Sequence, residues 1–344
     1  MGNTMPKVLI TGASGFLGSN LVSYLLRKGI NDIAALDTEE LSSFDKDKIT
    51  FIKGDIRDRE AVRAAVKDSD IVVHAAAVMP LHDADLTYSV GIDGTRTLME
   101  EAFKQDVKRV IFISSVSVYG EKPVSPVYES AGFNGIGAYA KSKIAAEYIC
   151  RNYRGKGLCV PVLRPRPLIG PGGVGSFSML YEWAAGGRNF PIIGDGNNRY
   201  QLLDVDDLCE AIFLCITGDE GLVNDDFNIG AGVFGTIKQD FQSVLDCAGH
   251  NKHIISFPSG PAILALRMMK ILRLSPVSSW AYETMPRDSY ASIEKAEKKL
   301  GFIPKYSNKD ALLRNYSWYI KNIMKAPVSR RGSGKMMDLL KIFF

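Results

Sequence analysis

The run VLITGASGFLGSNL, residues 8–21, constrains this chain more than any other stretch. A short apolar segment that reads as a buried strand meets Gly12, Gly15 and Gly18, and a helical apolar spacing follows that closes on Gly29. Strand, glycine turn and helix in immediate succession open a βαβ unit. The alternation continues with DIAALD and ITFIKGD as strands, REAVRAAVKD as a helix, DIVVHAAA as a strand, GTRTLMEEAFKQ as a helix and RVIFISS as a strand. This rhythm predicts an α/β fold with a parallel sheet covered by helices on both faces. Right-handed crossovers then line the carboxyl ends of the strands along one edge, where ligands bind.

After Arg164 the rhythm breaks at PRPLIGPGGVG, a Pro- and Gly-rich loop. LLDVDDLCEAIFLCI reads as a strand and a helix that return to the sheet, and residues 236–325 are rich in helical spacing. The expected organisation is a doubly wound, Rossmann-type domain over 1–170, rejoined by 202–232. A smaller, mostly helical region over 171–201 and 233–325 caps the sheet edge and binds substrate. Residues 326–344 form a basic and apolar tail.

Composition narrows the partners. A formal net charge of +4 over 344 residues is slight, and no dense basic stripe suits nucleic acid. Five cysteines without a CxxC pair point to reduced thiols and a cytoplasmic setting. His250 and His253 lack a third ligand candidate nearby, so no metal site is expected. The N-terminus carries no signal-peptide pattern, and Pro6 stands where N-myristoylation needs Ser or Thr.

The glycine turn carries the first chemistry. Glycines let the backbone approach a pyrophosphate, and a helix N-terminus offers N–H donors and a positive dipole end. Gly12, Gly15, Phe16, Leu17 and Gly18 therefore form the candidate pyrophosphate site. Asp37, at the end of the second strand, can accept from a ribose 2′-OH and would repel a 2′-phosphate, which favours NAD over NADP. GDIRD offers Asp55 and Ile56 to an adenine, and HAAA offers Ala75, Ala76 and Ala77 where a cofactor can pass close to the backbone.

In AYAKSKIAAE, Tyr139 and Lys143 stand four residues apart on one helix face. Taken with TGASGFLG, GDIRD, HAAA, SSVSVYG and RPRPLIGPGG, in order and spacing, the chain resembles the extended short-chain dehydrogenase/reductase family. Within that family it resembles the NAD-dependent epimerase/dehydratase branch, over roughly residues 6–320. The resemblance implies an NAD-dependent enzyme with Ser115, Tyr139 and Lys143 as catalytic residues. Lys143 would also bind the nicotinamide ribose. A free phenol titrates near pH 10, and a nearby ammonium and the cationic nicotinamide would favour the phenolate needed for a base. Ser114 competes with Ser115, since strand alternation alone does not choose between them. The resemblance further implies a homodimer built from TRTLMEEAFKQ and KIAAEYICRNY.

Departures from the family pattern bear on the substrate. Dehydratases of the family carry an acidic pair where this chain has Val116 and Ser117, which disfavours 4,6-dehydration. Gly91 replaces the asparagine of NVxGT, and Pro167 replaces an asparagine that touches the ligand's diphosphate in many sugar-nucleotide epimerases. The segment GDGNNRYQLLDVDDL resembles the one whose arginine grips that diphosphate, which corresponds to Arg199 here. Arg166 and Arg287 are further candidates for a substrate anion. The leading expectation is C4 epimerisation of a nucleotide-sugar. A rival is an NAD-dependent dehydrogenase of a sterol-like or other lipophilic alcohol, peripheral at the membrane. It rests on residues 261–275, where Arg267, Lys270 and Arg273 line one side of an apolar run, and on the tail. A non-catalytic NAD sensor is a third reading, which an intact Ser-Tyr-Lys set disfavours.

Overall fold

The computed structural model describes residues 5–41, 48–78, 83–120, 124–173, 175, 177–261 and 287–324. The elements in chain order begin β1 (Val8–Thr11), α1 (Phe16–Arg27), β2 (Ile33–Asp37), β3 (Thr50–Lys53), α2 (Arg59–Val66) and β4 (Ile71–His74). A short α3 (Ala84–Tyr88) passes through a π-helical turn, Ser89–Gly94, into α4 (Thr95–Lys104), and β5 (Arg109–Ile113) ends in a 3₁₀ turn, Val116–Tyr119. The long α5 (Gly137–Gly155), β6 (Val162–Pro165), β7 (Leu168–Ile169), α6 (Ser178–Ala185), β8 (Phe190–Ile193) and β9 (Leu203–Asp204) follow. Then come α7 (Val205–Thr217), α8 (Glu220–Val223), β10 (Asp226–Ile229), α9 (Ile237–Ala248), β11 (Ile254–Phe257), α10 (Glu294–Leu300) and α11 (Asn308–Tyr319).

Seven strands form one sheet in the order β10-β6-β5-β4-β1-β2-β3, and every pairing in it is parallel. The order reverses between β1 and β4, the topological switch point at which doubly wound sheets bind ligands. Alternate residues of β1 serve opposite faces, as strand geometry requires. Val8 and Ile10 join a core with Leu21, Val22 and Leu25 of α1 and Leu208, Ile212 and Cys215 of α7. Leu9 joins a second core with Leu98 and Met99 of α4 and Ala146 and Cys150 of α5. Each such fully buried aliphatic side chain contributes ~1.5–3 kcal/mol.

LLD does not extend the main sheet. As β9 it pairs with β7 in a separate two-stranded ladder, and the strand that returns to the main sheet is β10, beside β6. Two residues of β9 suffice to lead into α7, whose apolar face packs under the sheet against α1. A third core gathers Leu180 and Trp183 of α6, Phe190 of β8, Phe241 and Val244 of α9 and Leu312 and Tyr316 of α11. Both α9 and α11 start at capping boxes, Thr236 with Gln239 and Ser307 with Asp310. Residues 262–275, the core of the apolar-basic run, and the tail from 325 lie outside the described residues. Among the described residues no helix is long and apolar enough to cross a membrane.

Candidate active site

The glycine turn is shaped by close backbone approach. Gly12 has φ +72°, and a Cβ there would stand 2.7 Å from the backbone of Ala76 across the switch point. A Cβ on Gly18 would stand 2.2 Å from the carbonyl oxygen of Gly12. Gly15 is the N-cap of α1 and has no side chain to satisfy the first N–H groups, nor does an acidic residue occupy the first turn. Those donors and the helix dipole are thus available to an anion. Asp37 lies at the mouth of the same turn, its carboxylate accepting from the Ser14 N–H at 2.8 Å and the Glu39 N–H at 3.1 Å. Carboxylate lone pairs remain for a ribose.

The next two pieces differ in availability. Ala75 and Ala76 are half-buried and Ala77 is exposed at the switch point. Asp55 is engaged by Arg57, which donates through Nε at 2.9 Å and Nη2 at 2.6 Å. That pairing holds the carboxyl below the usual range. Ile56 is buried against Gly94. The donor and acceptor set along β1, α1, β2 and β4 fits a dinucleotide.

Tyr139 and Lys143 sit in the first turns of α5 above the end of β5. The Ser115 side chain faces the Tyr139 phenol and favours its ionised form. Lys143 is buried, donates through Nζ to the Ile113 carbonyl at 2.7 Å, and lies 5.9 Å from the Tyr139 ring centroid. Among the described residues Ile113 is its hydrogen-bond partner, which leaves N–H groups for a ligand's hydroxyls. Burial pushes the ammonium down to about 8, against Cys150 and Glu147, which oppose it. Burial also raises the Tyr139 phenol, and the Ser115 hydrogen bond works the other way. A positive charge brought near the phenol would draw its pKa down.

The two serines face opposite ways. Ser114 is buried and donates to Glu147 Oε1 at 2.6 Å, whereas Ser115 is half-buried, caps the 3₁₀ turn and meets Tyr139. Glu147 was not singled out in the sequence, although its place four residues beyond Lys143 was visible there. Nor was Arg164, fully buried and bonded to Glu147. His74, next to the alanines of HAAA, carries no sequence signal of its own. Its ring bridges Thr11 at 2.8 Å and Thr95 at 3.0 Å beneath the switch point, and burial pushes its pKa down to about 3.

The candidate anion-binding arginines form a second cluster. Residues 287–291 run beside 199–201, through bridges such as Tyr200 to Ser289. The exposed Arg199 guanidinium lies 4.5 Å from the Phe234 ring centroid and 4.9 Å from that of Tyr290. No carboxylate is paired with it among the described residues. Arg166 is buried, donating to the Gln201 carbonyl at 3.0 Å and to the Ser289 carbonyl at 2.6 Å, with its plane over Tyr200. Burial lowers its pKa. Arg287 is exposed, and its carbonyl accepts from Asn198. Arg166 and Arg199 are thus brought to the same pair of segments, one buried against backbone carbonyls and the other open.

Residues 8–230 match the NAD dependent epimerase/dehydratase family. The chain is 34% identical over 337 residues to uncharacterized protein y4nG of Sinorhizobium fredii, covering 97% of this chain and 83% of that one. It is 30% identical over 261 residues to UDP-glucose 4-epimerase of Mycolicibacterium smegmatis, covering 71% of this chain and 83% of that one. The crystal structure of UDP-glucose 4-epimerase from Thermotoga maritima with UDP-glucose superposes with a TM-score of 0.73 at 26% identity, covering 92% of this chain and 99% of that one.

Proposed function

The chain belongs to the NAD-dependent epimerase/dehydratase family, and from that premise we propose that it inverts C4 of a nucleotide-linked hexose with Tyr139 as the base. It is an NAD-dependent enzyme of the extended short-chain dehydrogenase/reductase type. The observation that carries the finer reading is the buried Lys143 ammonium, on the same helix face as Tyr139 and 5.9 Å from its ring centroid, with Ser115 facing the phenol. The M. smegmatis and T. maritima proteins, both named UDP-glucose 4-epimerases, support the substrate class.

In this reading the turn Gly12–Gly18 and the α1 N-terminus hold the pyrophosphate, Asp37 the adenosine ribose, Ile56 and Ala75–Ala77 the adenine side, and Lys143 the nicotinamide ribose. Asp55, already bonded to Arg57, contributes through that pair. NAD held there would supply the hydride acceptor and donor. Ser115 donates to the C4 oxygen and orients it toward Tyr139. Tyr139 takes the hydroxyl proton as the carbon becomes a ketone, and gives it back once the keto sugar has turned its other face. Lys143 keeps a positive charge under the phenol. Arg199 grips the diphosphate, a task suited to a guanidinium, while Arg166 and Arg287 add positive charge nearby. Arg166 acts there mainly by holding residues 201 and 289. Val116 and Ser117 supply no acid for loss of water, which separates the reading from 4,6-dehydration.

Replacing Tyr139 with Phe tests this directly. Turnover of UDP-glucose to its C4 epimer should fall by ~10²–10⁴-fold while NAD stays bound. Undiminished turnover would remove Tyr139 from the mechanism. We also propose a cytoplasmic homodimer through α4 and α5, whose outer faces expose Phe103 and Tyr148. A light-scattering mass of one chain would overturn it.

A further inference from the structure

Helix α5 presents Tyr139, Lys143 and Glu147 at four-residue spacing, and the last of these is fully buried. Its carboxylate is held from several sides. Arg164 on β6 donates to both oxygens, at 2.9 Å and 2.6 Å, and the same guanidinium reaches Asp226 on β10 at 2.9 Å and the Tyr119 hydroxyl at 2.8 Å. Arg151, one turn along α5, stands 3.8 Å from it. A carboxylate so anchored does not follow its neighbours; they come to it.

Ser114 is the neighbour that does. Its hydroxyl donates to Glu147 at 2.6 Å, and its N–H continues the ladder to Leu163 at 2.7 Å. Successive side chains of an extended segment point to opposite faces. Holding Ser114 toward Glu147 therefore turns Ser115 the other way, where it caps the 3₁₀ turn and faces the Tyr139 phenol. We propose that Ser114 and Glu147 are positioning residues, whose hydrogen bond clamps the end of β5 to α5 and so aims the Ser115 hydroxyl at the Tyr139 oxygen. The inference rests on Tyr139 and Ser115 being the reacting pair. A buried hydrogen bond to a charged group is strong enough for the task.

The test reads the consequence at Tyr139 and needs no sugar. In the NAD-loaded full chain, the tyrosinate absorbance that titrates in the wild type and not in Tyr139→Phe reports Tyr139 alone. The charged and polar groups facing that phenol among the described residues are Ser115 and Lys143. Those facing Glu147 are Ser114, Arg164, Arg151, Lys143, Cys150 and Tyr119, and all but Ser114 itself stay in place when only Ser114 is changed. Losing the Ser115 donor removes a bond that favours phenolate, so the titration should move to higher pH. Ser114→Ala should raise it by about 1 unit, a tenfold change in proton affinity. Ser115→Ala should raise it at least as far, and the double variant no further than Ser115→Ala.

A wild-type titration in Ser114→Ala, or additive shifts in the double variant, would overturn the clamp. A fall in melting temperature without a shift would mark Ser114 as merely structural and overturn it equally. Glu147→Gln strips Arg164 of its charge partner and risks unfolding, so Ser114→Ala decides. If Tyr139→Phe retained turnover while these shifts appeared, the clamp would stand and the catalytic reading would fall.

Discussion

The proposed cofactor edge and the proposed anion-binding cluster are built by different means. Around β1, α1 and β4 the site is made of backbone: a positive-φ glycine, uncapped helix N–H groups and alanines, with two apolar cores fixing them from both sides of the sheet. Around Arg199 it is made of side chains from separate segments, with Phe234 and Tyr290 flanking one guanidinium and Gln201 and Ser289 holding another. A backbone site tolerates almost no change, because adding one carbon displaces main chain. A side-chain site of this kind can lose a group and keep its fold, and only its ligand preference moves.

The sharpest way to break this contrast is at Gly18. A Cβ there meets the Gly12 oxygen at 2.2 Å and the Ala13 Cα at 2.5 Å, both main-chain atoms. Gly18→Ala should cost about 3 kcal/mol in chemical denaturation and abolish retention of NAD. Wild-type stability in that variant would mean the turn is looser than its contacts indicate. Arg199→Ala should behave oppositely. Stability should change by about 1 kcal/mol or less, since only exposed cation–π contacts are lost, while calorimetry should find UDP bound ~10–100-fold more weakly.

A further effect concerns pH. His74 is held neutral in the folded chain, with a pKa pushed down to about 3 from the model-peptide value of 6.5. The unfolded chain therefore binds an extra proton below pH 6.5, and stability falls as pH drops from there toward 3. Between pH 7 and 5, wild type should lose about 2 kcal/mol more than His74→Gln in chemical denaturation. Equal losses would show that His74 takes up its proton without opening the link between Thr11 and Thr95.

The same contrast accounts for what could be read from the residues alone. Glycine spacing, strand-helix alternation and the Tyr139–Lys143 interval are local demands of backbone and helix geometry, so they are written contiguously. The choice between Ser114 and Ser115 was not, because it depends on Glu147 and Arg164, which lie 33 and 50 positions along the chain from Ser114. LLD carried a strand pattern, yet which ladder it joined was decided by Leu168 and Ile169. The burial that raises the Tyr139 phenol comes from tertiary packing, which the four-residue interval between Tyr139 and Lys143 does not encode. For Arg166, residue type suggested an anion partner, and tertiary packing gave it backbone carbonyls.

The most direct test of the division is native mass spectrometry of the full chain with NAD and UDP. The wild type should carry both on each protomer, and Arg199→Ala should keep NAD and lose UDP. Loss of both together, or of neither, would contradict the account of a backbone-built cofactor edge beside a separate, side-chain-built anion site.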